Sequence, residues 1–500
     1  MNYTSTRDKK VVVSASRAIS RGISAEGGLF VPTSLPQLSP ERLNRLAGLS
    51  YTGRAADILG DFLDGFSAKE IQNCVEAAYT AKKFGEESIT QLAKLGESTY
   101  MLELWHGPTC AFKDMALQLL PHLMTESVRK EGEEETVVIL VATSGDTGKA
   151  ALEGFKDVPG TEIIVFYPEE GVSPMQKLQM ATQEGENVNV AAIEGNFDDA
   201  QTGVKRIFTD PEMTRRLAKN RLAFSSANSI NWGRLVPQIV YYVSAYCDLL
   251  SDGEIRPGEK VNVVVPTGNF GNILAAYYAK HMGVPIGRLI CASNSNKVLT
   301  DFIATGTYDR NREFITTMSP SMDILISSNL ERLLFHLMDG DDKALRALME
   351  SLAAEGRYTV PDAVREKLQA EFFGGYCSEE DTARTIREVF EQYCYLCDTH
   401  TAVAVNVCRQ YAEQTGDTAK TIIASTANPY KFPHSVLASL GADAGGIDEF
   451  EAAEKLARLT GCEIPPQLLE LKQKPVLFTR TCRKDTMDSF VLSALGIACR

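Results

Sequence analysis

Residues 261–276 read Val261-Asn262-Val263-Val264-Val265-Pro266-Thr267-Gly268-Asn269-Phe270-Gly271-Asn272-Ile273-Leu274-Ala275-Ala276. A valine-rich run at 261–265 ends in a glycine-rich turn, and a helix-forming segment starts directly after it at Ile273. A strand that feeds a helix through such a turn exposes backbone N–H groups at the positive end of the helix dipole, which suits a phosphate. Gly268 and Gly271 let the backbone approach an anion closely, although the same glycines also serve a tight turn with no ligand.

The same grammar extends outward. Short apolar runs rich in Val and Ile recur at 136–142, 161–167, 188–193 and 421–424, each beside a helix-like segment. Continuous apolar strands alternating with helices predict parallel sheets covered on both faces, an α/β fold. Up to about residue 95 the chain reads mainly as polar and amphipathic helices punctuated by Gly27-Gly28 and by Pro32 to Pro40, a separate amino-terminal unit. Between about 325 and 395 the strands stop and amphipathic helices at 343–354 and 362–373 take over, so a helical insertion is expected there. At 500 residues the chain exceeds what one core serves.

Composition narrows the function. Hydrophobic residues make up 44% and charged residues 23%, the balance of a folded globular chain. Acidic residues outnumber basic ones 65 to 51, and the net charge of -14 with no basic patch argues against nucleic acid. That charge favours solubility without deciding between monomer and homodimer. Glu133-Glu134-Glu135 reads as a solvated loop before a strand. The polar start, Met1 to Lys10, and the lack of any long apolar run predict a cytoplasmic protein that does not enter a membrane. Eleven scattered cysteines suit reduced thiols, and the Cys394/Cys397 pair has no second pair to complete a zinc site, so no metal centre is expected.

Two further segments carry chemistry. After the run at 136–142 come Thr143-Ser144-Gly145-Asp146-Thr147-Gly148 and a helix-like Lys149-Ala150-Ala151-Leu152. The glycine spacing is too short for a nucleotide-binding P-loop, and Ala150 stands where a magnesium-binding hydroxyl would be needed. Hydroxyls and N–H groups at this helix start suit a carboxylate, or Ser144 and Asp146 simply cap the helix. The other segment is His106-Gly107-Pro108-Thr109-Cys110-Ala111-Phe112-Lys113-Asp114, followed by Met115, Leu119 and Leu123 at helical spacing. Lys113 falls in the first turn, where the dipole disfavours a cation and so favours the neutral amine that condenses with an aldehyde.

Phe112-Lys113-Asp114, the 144–147 loop and the 268–272 loop together resemble the fold-type II pyridoxal-phosphate enzymes, specifically the threonine synthase family. The likeness covers nearly the whole chain. It includes Ser5-Thr6-Arg7, Glu26-Gly27-Gly28-Leu29-Phe30-Val31-Pro32, Asn228-Ser229-Ile230-Asn231 with Arg234, and Pro320-Ser321-Met322-Asp323. Near the end come His400-Thr401-Ala402-Val403-Ala404 and Ser425-Thr426-Ala427-Asn428-Pro429-Tyr430-Lys431-Phe432. Each is weak alone, and their order makes them specific.

The resemblance implies pyridoxal 5'-phosphate as cofactor, Lys113 as its Schiff-base lysine and acid/base group, and Phe112 beside it. It implies that Gly268, Asn269, Phe270, Gly271 and Asn272 cup the cofactor phosphate and that the Thr426 hydroxyl meets the pyridine nitrogen. Thr143, Ser144, Gly145, Asp146 and Thr147 would receive the substrate carboxylate, and Asn228, Ser229 and Arg234 the substrate phosphate. Some relatives carry Asn where Asp146 stands, in contact with the cofactor's phenolic oxygen; a carboxylate there repels an oxyanion unless one of the two is protonated or the side chain turns away. The implied substrate is O-phospho-L-homoserine, converted with water to L-threonine and phosphate, the last step of threonine biosynthesis. A phospho-lyase releasing 2-oxobutyrate and a non-catalytic homologue are the rival readings. The implied organisation is an amino-terminal domain at 1–95, a large cofactor-binding domain from 96–135, 225–325 and 396–500, a smaller α/β domain at 136–224 carrying the carboxylate loop, and the helical insertion at 326–395.

Overall fold

The computed structural model describes residues 1–143, 145–169 and 172–498. Each of the five apolar runs forms a strand, with ends moved by at most one residue. They divide between two sheets. The larger has six strands in the order Phe372–Tyr376, Ile286–Ser293, Val261–Pro266, Thr421–Ser425, Thr99–Glu103, Gln91–Leu95. Its neighbours run parallel except the last pair. The smaller is wholly parallel, in the order Thr481–Arg483, Val188–Glu194, Thr161–Pro168, Thr136–Ala142, Leu222–Ser225.

The alternation of a strand explains why both faces of these runs are apolar. Val263 and Val265 point into a cluster that also holds Val137, Ile139 and Val141 of the smaller sheet, whereas Val264 points the other way, among Ile290 and Ile423. Val138 and Leu140 face a third cluster with Met213 and Leu217. Among the described residues, no helix is long and apolar enough to cross a membrane.

The expected organisation needs correction at particular segments. The strands do not stop between 325 and 395: the helix expected at 362–373 ends at Glu371, and Phe372–Tyr376 becomes an edge strand of the larger sheet. Gly374 and Gly375 hid it, because they lack the side chains that mark strands. Both are needed there, since a Cβ on Gly375 would lie 2.6 Å from Val407 Cγ1 and one on Gly374 would lie 3.2 Å from Thr300 Cα. A second short strand, Arg357–Thr359, pairs with Thr307–Asp309. The 396–500 segment does not stay on the larger sheet, because Thr481–Arg483 extends the smaller one and Met487 and Val491 bury themselves against its outer face. The amino-terminal 95 residues pack onto the rest of the chain: Tyr3, Ile58 and Phe62 share the cluster of Val263, and Gln91–Leu95 completes the larger sheet. They also contain an antiparallel sheet of Asp8–Val13, Tyr3–Ser5 and Phe30–Pro32. The Cys394/Cys397 pair lies after a helix that ends at Tyr393, and both are free thiols.

The sheets are joined through helix contacts as well. The helix Asp146–Phe155 packs so closely on the helix Lys113–Leu117 that a Cβ on Gly154 would sit 2.0 Å from the Leu117 carbonyl oxygen. Backbone cannot yield as a flexible side chain does. Gly154→Ala is therefore expected to lower stability by about 1–3 kcal/mol; urea unfolding at wild-type stability would show that the two helices separate freely.

Candidate active site

The strand Val261–Pro266 delivers the 268–270 turn to the start of the helix Gly271–His281, two residues earlier than the sequence suggested. Phe270 caps it in the left-handed region, φ 62°, and is buried. The turn's carbonyls are occupied from outside: Ser327 Oγ donates to Gly268 O at 2.7 Å, and Asn329 donates its N–H and its Nδ2 to Asn269 O, both at 3.1 Å. The N–H groups of the first helical turn lack intrahelical acceptors and remain for a ligand. Asn272 sharpens this. Its Oδ1 accepts from Tyr241 Oη at 2.8 Å and from Tyr242 Oη, while its buried Nδ2 has no partner among the described residues. Gly268 admits no side chain, since a Cβ would lie 2.7 Å from Ser321 O.

Lys113 is the first residue of the helix Lys113–Leu117. The loop before it is stitched to the end of the strand Thr421–Ser425: Phe112 N–H donates to Thr426 O at 2.9 Å, and Asn428 N–H donates to Cys110 O at 3.0 Å. Lys113 and the buried Thr426 are thereby placed on one wall, and Thr426 N–H donates to Thr401 Oγ1 at 3.3 Å. The Lys113 ammonium has sparse company: Ser321 Oγ at 3.4 Å, Asp146 Oδ2 at 3.8 Å, and the Phe112 ring centroid at 5.0 Å. Its pKa is lowered chiefly by burial, against the opposing pull of Asp146 and with help from the Lys431 and Arg234 charges. Burial rather than the helix dipole is the leading cause, and a five-residue helix has little dipole to offer.

Ser321 is itself held. Its N–H donates to His400 Nε2 at 3.1 Å, which makes Nδ1 the protonated nitrogen that faces Asp398 Oδ1 at 2.8 Å. Asp114, next to Lys113, accepts from Thr109 N–H at 2.8 Å and Thr109 Oγ1 at 2.7 Å; burial still pushes it up to about 6.

On the opposite wall, the 143–147 loop leads into the helix Asp146–Phe155. Ser144 lies outside the described residues. Asp146 is the first residue of the helix and not its cap; Gly145 is the cap residue, and Thr143 Oγ1 accepts from Gly145 N–H and Gly148 N–H, both at 3.0 Å. Gly145 is favoured by its backbone, φ 154° and ψ -114°, a conformation that L side chains rarely adopt. Thr147 is half-buried in the first turn.

Asp146 turns aside to a partner that sequence reasoning missed. Its Oδ1 pairs with Lys431 Nζ at 2.9 Å and accepts from Gln176 Nε2 at 2.9 Å. Burial alone would raise its pKa, but Lys431, Lys113 and Gln176 hold it well below the usual carboxylate range. The sequence held a hint in a lysine set between Tyr430 and Phe432, an odd place for a solvated cation.

Arg234 lies in the first turn of the helix Trp232–Ser251. It is buried without a carboxylate: one Nη donates to Ala227 O at 2.5 Å, Nε has no partner among the described residues, and burial pushes its pKa down to about 10. A buried guanidinium with idle donors is costly unless an anion completes it. Asn228 is exposed and Ser229 half-buried on the turn that precedes this helix. Among the described residues, no hydrogen bond or ion pair brings the Asn228 or Ser229 side chain to Lys113.

Comparison with known proteins agrees with this geometry. The description "Threonine synthase N terminus" matches residues 2–79, "Pyridoxal-phosphate dependent enzyme" matches residues 87–426, and "Threonine synthase, C-terminal" matches residues 401–486. A human protein, threonine synthase-like 1, is 42% identical over 435 residues, 85% of this chain and 58% of its own length. The chain thus spans well under two thirds of that relative. A threonine synthase of Pseudomonas aeruginosa is 39% identical over 437 residues, 87% of this chain and 90% of its own. The structure of a PLP-bound threonine synthase from Brucella melitensis superimposes with a TM-score of 0.87 at 37% identity, covering 99% of each chain. The orphaned Asn272 amide suits an anion and Lys113 is a buried amine, and with these matches the chain belongs to the threonine synthase family of pyridoxal-phosphate-dependent enzymes.

Proposed function

We propose that this chain is a threonine synthase of the cytoplasm, which converts O-phospho-L-homoserine and water to L-threonine and phosphate. The observation that carries the reading is the presence of two separate anion acceptors in a chain whose Lys113 is a buried amine. The 268–272 turn with the orphaned Asn272 amide is one, and the uncompensated Arg234 guanidinium is the other. A cofactor phosphate and a substrate phosphate need two such places.

Bound pyridoxal phosphate supplies an electron sink for carbanions formed next to the substrate nitrogen. The chain supplies the rest. Lys113 holds the cofactor, with Phe112 beside it and the neutral Thr426 hydroxyl, which leaves no fixed counter-charge for the ring nitrogen, on the same wall. Thr143, Ser144, Gly145 and Thr147 orient the substrate carboxylate at the start of the helix Asp146–Phe155, where N–H groups and the dipole favour an anion. Asn228, Ser229 and Arg234 hold the substrate phosphate so that the bond to be broken faces Lys113. Lys113 Nζ then takes the substrate α-proton, its basicity set by burial and its direction by Ser321 Oγ.

The test incubates the cofactor-loaded protein with O-phosphohomoserine and measures released phosphate together with threonine. Equal amounts of the two support the reading. 2-Oxobutyrate and ammonia in place of threonine identify a phospho-lyase, and no phosphate release identifies a protein that binds without turning over.

Arg234→Ala should raise KM for O-phosphohomoserine by about 100-fold, roughly the strength of a buried charge-assisted phosphate contact. The Lys113-bound cofactor spectrum should stay as it was. A KM like that of the parent removes Arg234 from the substrate site.

A further inference from the structure

Lys431 lies beyond the strand Thr421–Ser425 of the larger sheet, yet its partners belong mostly to the opposite wall. Its ammonium donates to Thr109 O at 2.8 Å and to Gln179 Oε1 at 3.3 Å, and it pairs with Asp146 Oδ1 at 2.9 Å. Gln179 and Gln176 both stand on the helix Pro174–Ala181. The side chain is fully buried, so three acceptors enclose a single cation with no water to dilute the charges.

Asp146 therefore stands between two lysines and is not shared equally. Lys431 holds Oδ1, with Gln176 on the same oxygen, while Oδ2 is 3.8 Å from Lys113 Nζ. We infer that Lys431 is a positioning residue that anchors the Asp146 carboxylate away from Lys113, so that Lys113 is left without a close counterion and keeps an amine ready for covalent capture of the cofactor. This rests on the reading of Lys113 as the cofactor's lysine.

The physical argument is one of competition. An opposite charge at contact distance stabilises an ammonium far more than one held back by a second cation. Without Lys431, Lys113 is the nearest remaining cation for Asp146, and the carboxylate would close on it. Capture needs the neutral amine: its lone pair adds to the aldehyde carbon, the C–N bond forms, and the carbonyl oxygen leaves as water. A tightly paired Lys113 would hold its proton to higher pH. The charges that face Lys113 are Asp146, Lys431, Arg234 and Asp114. Those that face Asp146 are Lys431 and Lys113. Cys110 and Asp114 also feel Lys431.

The test follows the rate of covalent attachment of pyridoxal phosphate to apoprotein as a function of pH, by absorbance, with no substrate present. For Lys431→Met the midpoint of the rise with pH should move up by about one unit relative to the parent, with attachment near neutrality about tenfold slower. Lys431→Arg, which keeps the cation, should restore the parent profile. Lys431→Met combined with Asp146→Asn removes both charges and should bring the midpoint to the parent value or below it. A midpoint unmoved in Lys431→Met overturns the inference, as does uniform slowing at every pH, which marks a merely structural role. If Lys431→Met does not fold, the doubly neutral variant decides: a midpoint above the parent's overturns the inference, and one at or below it supports it. Lys113→Ala run in parallel separates the underlying reading, because attachment that persists in it means that Lys113 is not the carrier.

Discussion

Lys113→Ala is expected to lose covalent cofactor binding and at least about a thousandfold in turnover, since it removes both the carrier amine and the general base. The nearest substitute is Lys431, and its surroundings argue against a takeover. Its Nζ is enclosed by Asp146, Thr109 O and Gln179, which leave it no open approach to an aldehyde, whereas Lys113 has one long contact to Ser321 and a carboxylate at 3.8 Å. An amine with room to attack is therefore available at 113 and not at 431. Borohydride reduction of the loaded parent protein followed by peptide mapping should place the label on Lys113. A variant that keeps both the cofactor's bound spectrum and ordinary threonine formation would end the assignment.

Much of this site was legible because its parts announce themselves locally. The 261–276 stretch combines a valine run, two glycines and a helix start, and each is dictated by near neighbours in the chain. The sheet around it was legible for the same reason, as strands buried on both faces need continuous apolar runs. The strand Phe372–Tyr376 was missed because two of its five residues are glycines required by close approach of Val407 and Thr300, a tertiary demand that erases the local signal. Thr481–Arg483 failed differently: a charged three-residue edge strand carries no apolar pattern, and only its pairing with Val188–Glu194 defines it. Lys431 illustrates the deepest limit. Its partner Asp146 lies 285 positions away, and the pair forms only when the two sheets' loops meet. The sequence could flag Asp146 as an awkward carboxylate. It could not say what relieves it.

Asp146→Ala should be among the most destabilising single changes in the site, because it leaves the Lys431 ammonium buried with no carboxylate. Removing one partner of a buried pair costs about 3–5 kcal/mol, much of it the burden of the orphaned charge. Asp146 and Lys431 are both almost wholly buried, so solvent cannot compensate. Combining Asp146→Asn with Lys431→Met should recover most of that loss, since replacing both members of such a pair is often neutral. Urea unfolding of the single and double variants measures the difference, and a single variant as stable as the parent would mean that the pair contributes nothing. The pH dependence gives a second check. The folded-state pKa of Asp146 is depressed, so its stabilisation is complete above the ordinary aspartate value of 3.8 and is lost as pH falls through the lower folded value. The stability curves of the parent and of Asp146→Ala should therefore run apart at neutral pH and converge on acidification below that ordinary value. Curves that stay parallel into strong acid would show that the carboxylate charge is not what holds Lys431, and that the Asp146 and Lys431 loops are joined there by shape alone.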